Sequence, residues 1–253
     1  MLMKEKVCVV TGAASPHGIG RAAARLLAAN GSHVVIVDIS AAVTDAAREL
    51  AAEYPQTSVL GLKCNIASSA ACDEAAREVT RIFNRVDALV HCAAIIRSGK
   101  YDEISSEEFD EVISVNLTGA FNVIRSFSSA MVAQGSGSIV NVASVAAQRG
   151  GGLFGGAHYA ASKGGVLSLT KSLARELGPA GVRVNAVCPS LIETGFVSDS
   201  VSSDRIRELT AGIPLGRPGR PDEVAATCMF LASDLSSYIT GATLDVNGGS
   251  HIH

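Results

Sequence analysis

In Tyr159-Ala160-Ala161-Ser162-Lys163 a phenol and an ammonium stand four residues apart at the start of a helical pattern, so the two side chains share one face. A tyrosine with a pKa of about 10 is a poor base at neutral pH. An ammonium about 4 Å away, at an effective dielectric of about 20, favours the phenolate by roughly 4 kcal/mol before desolvation, or about three pKa units. The spacing therefore predicts a general acid/base that works near neutrality. On its own the same spacing also suits a surface pair.

A second group of residues has the chemistry of a phosphate cradle. In Thr11-Gly12-Ala13-Ala14-Ser15-Pro16-His17-Gly18-Ile19-Gly20, glycines permit a tight turn and a close backbone approach, and a following helix offers free N–H groups to a pyrophosphate. Asp38 ends the next apolar run, 20 residues after Gly18, where a carboxylate can accept from both ribose hydroxyls of an adenosine and repel a 2'-phosphate. Neither Ile39 nor Ser40 supplies a cation, and His17 before Gly18 is mostly neutral at pH 7. NAD is favoured over NADP. A second reading of Asp38 is an acid at a helix N-terminus.

These groups need a frame. Short apolar runs at Val7–Val10, His33–Val37, Ser58–Leu62, Ala88–His91, Ser138–Val142, Val182–Val187 and Thr243–Val246 alternate with helical spacing, as in Ile19–Ala29, Val43–Glu53 and Ser69–Phe83. The pattern predicts a single-domain α/β Rossmann fold over residues 1–253, a doubly wound, seven-stranded parallel sheet with helices on both faces. A long helical stretch is expected from about Ser106 to Ala133. A polar insert from about Gly195 to Gly212 reads as a substrate lid or as a plain surface excursion.

Composition narrows the function classes. The balance of 21 Lys+Arg against 24 Asp+Glu gives a net charge of -3, with no basic run to track nucleic acid or an anionic membrane. The uncharged stretch Ser126–Gln148 is broken by Gln134, Ser136 and Asn141 and cannot span a bilayer. No export signal is read at the N-terminus, and six scattered cysteines without a Cys-x-x-Cys pair fit reduced thiols in the cytoplasm and no metal site. For His251-x-His253 at the C-terminus, an exposed or packed end is favoured over metal binding.

The glycine turn, Asn116 in Val115-Asn116-Leu117-Thr118-Gly119-Ala120, Ser144 in Val140-Asn141-Val142-Ala143-Ser144, and the Tyr159/Lys163 pair occur in the order and near the spacing of the short-chain dehydrogenase/reductase family. Over its whole length the chain resembles a classical member. The resemblance implies that Tyr159 exchanges a proton with the substrate oxygen, Lys163 lowers its pKa and holds the nicotinamide ribose, Ser144 hydrogen-bonds the substrate oxygen, and Asn116 holds a relay water. It also implies dinucleotide contacts from Gly12, Gly18, Ile19, Gly20 and Asp38, from Asn65 and Ile66 beside the adenine, from Cys92 and Ala93 after the fourth strand, and from Pro189, Ile192 and Thr194 after the sixth.

Several positions depart from the family pattern. Five residues, Ala13 to His17, stand where three are usual, so the cradle must bulge. Asn65 replaces an aspartate, His91-Cys92-Ala93-Ala94 replaces Asn-Asn-Ala-Gly, Ser190 replaces a glycine, and the Ser144-to-Tyr159 spacing is about two residues long. The implied reaction is hydride transfer between NAD(H) and a secondary alcohol or ketone, with a small polyol or sugar as the leading substrate. Reduction of 3-oxoacyl groups on acyl carrier protein is the alternative, but Ala133–Ser138 and Gly178–Gly181 carry no basic residue to hold an acidic carrier. Hydrophobic or steroid alcohols, and a sensor that binds NAD without turnover, are further readings. By the same resemblance the chain is expected to form a homotetramer.

Overall fold

All seven short apolar runs pair into one sheet. In a computed structural model describing residues 1–151, 155–195 and 203–252, the strands are β1 (Val7–Thr11), β2 (His33–Asp38), β3 (Val59–Lys63), β4 (Ala88–His91), β5 (Gly137–Val142), β6 (Val182–Pro189) and β7 (Thr243–Val246). Their spatial order is β3-β2-β1-β4-β5-β6-β7, and every pairing is parallel. This is the doubly wound Rossmann arrangement in a single domain.

Parallel strands buried on both faces must be apolar throughout, and the side-chain period of two sorts them. Cys8, Val10, Val34 and Ile36 enter one core, under α1 (Ile19–Ala29), α2 (Val43–Glu53) and a C-terminal helix, Pro221–Ala232. Val7, Val9, Val35 and Val37 enter the other, under α3 (Ser69–Phe83) and the helices that follow it.

The long stretch expected to be helical is so, without interruption from Ser106 to Gln134, and it holds one wide turn that the expectation did not include. Ser105 caps α4 (Ser106–Ile113) by accepting from the N–H of Glu108 at 3.1 Å. A wide π-helical turn, Ser114–Thr118, then leads into α5 (Gly119–Gln134). A turn of five residues is too short for a change of helical period to show in the sequence. Next come α6 (Ala146–Arg149) and α7 (Ala157–Leu177).

Within the insert read as a lid, Ser203–Thr210 forms α8, whose Ile206 and Leu209 pack on Leu191 and Ile213; residues 196–202 lie outside the described part. Residues 152–154 and the final histidine of the His251 tail also lie outside it. The helix Pro221–Ala232 is α9, with proline in its first turn and the Glu223 carboxylate accepting from the N–H of Arg220 at 2.7 Å.

Because strand order reverses between β1 and β4, the chain leaves these two strands in opposite directions. A crevice opens at their C-terminal ends, where an open α/β sheet takes its ligand.

Candidate active site

The first limb of the crevice is the turn between β1 and α1. Gly12 has φ +68, and a Cβ there would come within 2.8 Å of Ala93 Cα and N, so this backbone passes hard against the segment after β4. A Cβ on Gly20 would collide with the Gly12 carbonyl oxygen, which fixes how closely α1 sits on β1. Gly18 precedes α1 with no side-chain cap, and the first turn holds no acid. The free N–H groups of that helix end suit a bound anion.

The longer loop is accommodated by two residues on its flanks. Asp38 accepts from the N–H of Ala14 at 2.9 Å through Oδ2 and from that of Ser40 at 3.0 Å through Oδ1. Arg21, buried in α1, donates from Nε to the Ala13 carbonyl at 2.9 Å and from its terminal nitrogens to the Ala14 carbonyl and Glu49, both at 3.1 Å. The bulge is thus held by a guanidinium beneath and a carboxylate beside it, and it brings His17 next to Gly195. Sequence reasoning missed Arg21. The signal was an arginine inside the apolar run Gly20–Ala24.

Thr11 and His91 organise the junction with β4. The Thr11 hydroxyl accepts from the N–H groups of Cys92 at 3.1 Å and Ala93 at 3.2 Å, and it lies 2.9 Å from His91 Nδ1. With both N–H groups donating to it, the hydroxyl proton is the one available to the imidazole, so Nδ1 is the acceptor. Burial and the nearby Lys163 push the His91 pKa down to about 3, and the ring is neutral. This hydroxyl–imidazole pair sets the loop where the family pattern has asparagine.

The second limb carries the reactive groups. A cavity of about 210 Å³ is lined by Ser144, Tyr159 and Lys163, with Cys92, Ile192 and Thr194 among its walls. Ile19 and Pro189 also border it. The β5–α6 turn presents Ser144, whose Oγ accepts from the N–H of Ala146 at 3.1 Å, and it engages the Tyr159 hydroxyl. Burial pushes the Tyr159 phenol above its usual pKa, and the Ser144 hydrogen bond works against that rise.

Here the structure corrects an expectation. The Lys163 ammonium sits 6.0 Å from the centroid of the Tyr159 ring and donates to the Val142 carbonyl at 2.8 Å, and the phenol is not lowered by it. Burial acts on both partners. It brings the Lys163 pKa down to about 8. The charge-pair argument placed the two groups on one face, and the desolvation it set aside is the larger influence on each.

Asn116 sits in the π-helical turn, and its amide is committed. Oδ1 accepts from the N–H of Ile95 at 2.8 Å, while Nδ2 donates to the Ile95 carbonyl at 2.9 Å and to Ser162 Oγ at 3.1 Å. Its side chain thus clamps the segment after β4 to α7. Ser162, which sequence reasoning also missed, lies inside the Tyr159–Lys163 motif and donates to the Tyr159 carbonyl at 2.7 Å.

Asp38 and Asn65 end β2 and follow β3, on the far side of the crevice from Tyr159. Asn65 is exposed, and its Oδ1 accepts from the N–H of Ala67 at 3.1 Å. Ile66 is buried with its side chain against Gly119. The glycine turn, the uncapped end of α1, the carboxylate on β2 and the cavity form one continuous crevice edge whose chemistry fits a dinucleotide. Among the described residues no cluster of side chains could hold a metal ion.

Comparison with known proteins gives the same outline. A family model described as enoyl-(acyl carrier protein) reductase matches residues 12–251. An uncharacterised short-chain type dehydrogenase/reductase of Sinorhizobium fredii is 45% identical over 256 residues, covering 100% of both chains. The 3-oxoacyl-[acyl-carrier-protein] reductase of Thermotoga maritima is 41% identical over 252 residues, 98% of this chain and 99% of that one. Among solved structures, an NAD+-bound xylitol dehydrogenase superposes with a TM-score of 0.90 at 30% identity, covering 98% of this chain and 100% of that one.

Proposed function

The chain belongs to the short-chain dehydrogenase/reductase family, oxidoreductases of CH–OH groups that use a nicotinamide cofactor, and from that premise we propose that it transfers hydride between NAD(H) and a small secondary alcohol, most simply a polyol or sugar. The observation that carries this reading is the meeting of Ser144, Tyr159 and Lys163 on one cavity at the strand ends.

In the oxidative direction Ser144 and Tyr159 bind the substrate hydroxyl, and Tyr159 takes its proton. In reduction Tyr159 returns it. The chemistry that a bound nicotinamide supplies is hydride exchange with the substrate carbon. Lys163 holds positive charge beside the phenol and has hydrogen-bonding capacity left for the nicotinamide ribose. Asn116 positions the segment after β4 and α7. Gly12, Gly18, Ile19 and Gly20 hold the pyrophosphate; Asp38 takes the adenosine ribose, with Asn65 and Ile66 beside the adenine. Cys92, Ala93, Pro189, Ile192 and Thr194 wall the nicotinamide end.

NAD is supported by Asp38 and by Arg21, the cation nearest the cradle in sequence, which is spent on backbone carbonyls and Glu49. The xylitol dehydrogenase likeness supports a polyol. Identity to the Thermotoga reductase favours a second reading, a 3-oxoacyl thioester reduced with NADPH. Against it, the turns at Gly135 and Gly181 touch but bring no cation for an acidic carrier.

Six free cysteines, five of them buried, support a cytoplasmic setting, and no helix among the described residues is long and apolar enough to cross a membrane. A homotetramer is the proposed assembly. The test is NADH formation from a panel of polyols, sugars and secondary alcohols, run beside thioester reduction with NADPH. In Tyr159→Phe, turnover should fall by about 10²–10⁴-fold with NAD binding retained. Unchanged turnover refutes the role of Tyr159.

A further inference from the structure

The cavity that holds Ser144 and Tyr159 is positively charged. Among the described residues that line it are two ionisable cations, Lys163 and Arg149, and no carboxylate. Lys163 is already directed to the Val142 carbonyl and lies beside the phenol. Arg149 has a different position. It ends α6, five residues beyond Ser144, and is exposed at the cavity wall. Its hydrogen bond among the described residues is a long one, from a terminal nitrogen to the Ser250 carbonyl at 3.3 Å. No described carboxylate lies within ion-pair distance of it, although most arginines of this chain have one.

Geometry ties this charge to the reaction centre. The N–H of Ala146 bonds to Ser144 Oγ, and the N–H of Arg149 bonds to the Val145 carbonyl at 3.1 Å, so the short helix is a rigid spacer. Ser144 stands just before this helix and Arg149 at its end, five residues on, and both face the one cavity. A small molecule with its hydroxyl at Ser144 and Tyr159 would have Arg149 on the wall of the same cavity to meet its far end. Near apolar walls, a planar fork of N–H donors selects an oxyanion.

From these observations we infer that Arg149 determines specificity, and that the substrate is a small secondary alcohol bearing an anionic group, a carboxylate or a phosphate, at the end remote from the reacting carbon. The inference rests on the alcohol dehydrogenase reading of this cavity. It narrows the polyol class to its acidic members.

Matched pairs test it on the NAD-loaded enzyme: 3-hydroxybutyrate against 3-hydroxybutyramide, and glycerol 3-phosphate against glycerol. At least one anionic member should exceed its neutral partner in kcat/KM by about tenfold, the size of a partly exposed charge-assisted contact. The pair that shows the preference identifies the anion. Added salt should shrink the preference, since the guanidinium faces solvent. In Arg149→Gln the ratio should fall to about one, chiefly through KM, and Arg149→Lys should retain part of it.

Calorimetric binding of the same four compounds to Tyr159→Phe gives a readout without turnover. A wild-type ratio of one, a ratio unchanged in Arg149→Gln, or anions that bind Tyr159→Phe no better than their neutral partners would each overturn the role of Arg149. Turnover of neutral alcohols alongside any of these leaves the reaction assignment standing. Conversely, anion binding lost with Arg149→Gln in the Tyr159→Phe background, in a chain that oxidises no alcohol, sinks the reaction and keeps the anion site.

Discussion

The resting site holds its two reactive groups in neutral-leaning environments, since burial raises the Tyr159 phenol and lowers the Lys163 ammonium to about 8. Linkage turns this into a stability statement. Between about pH 8 and the ordinary lysine value of about 10.4, the unfolded chain holds a proton at residue 163 that the folded chain has released, so this group makes the fold more stable as pH rises. Below about pH 8 the buried charge is a cost. Lys163→Met should therefore unfold at a higher temperature than wild type at pH 7, with the gap narrowing toward pH 10, while alcohol oxidation is lost. Thermal melts across that range check it, and a gap that widens would be the wrong sign. Asp38→Ala should reduce NAD discrimination over NADP by at least about tenfold in kcat/KM, through loss of ribose bonds and of repulsion toward a 2'-phosphate. At this scale what was legible is position: the spacing put Tyr159 and Lys163 together and Asp38 at the end of β2. The sequence was less legible where the surroundings decide. Neither the double commitment of the Asn116 amide nor the burial acting on Tyr159 has a local signature.

Elements were read more easily than the contacts between them. α1, α2 and α3 lie where their spacing put them, β4 and β7 match their expected bounds, and the other strands differ by a residue or two at their ends. Fully apolar strands and strongly amphipathic helices are the clearest patterns a chain can carry. The π-helical turn and α8 were not legible, the first because five residues are too few to show a change of period and the second because its polar surface resembles a loop. That turn carries the Asn116 clamp. Asn116→Ala should leave the Ile95 N–H and carbonyl without their partner and destabilise the fold by about 2–4 kcal/mol, measured by urea unfolding. Gly20→Ala tests the join of α1 and β1. Its methyl meets the Gly12 carbonyl, so NAD affinity and stability should fall together, the latter by about 1–3 kcal/mol. Loss of only one would separate the cradle from the packing.

At the scale of the whole molecule, two cores on opposite faces of one sheet account for the folded chain, yet Phe109 on α4 and Phe121 and Val132 on α5 remain 41–45% exposed. Burial of such groups between copies is what the proposed tetramer supplies. Sedimentation at micromolar concentration should give the mass of four chains, and Phe121→Glu should lower it; a monomeric wild type would end the proposal. The glycine turn, β2 and Asp38 form one mechanical unit, because the carboxylate that suits the ribose also holds the N–H of Ala14. Evolution on this scaffold consequently faces a rugged path between dinucleotides. A lineage that discards the acid to admit a phosphorylated ribose loosens its own phosphate loop in the same step, so a compensating change in the stretch from Ala13 to His17 has to come first.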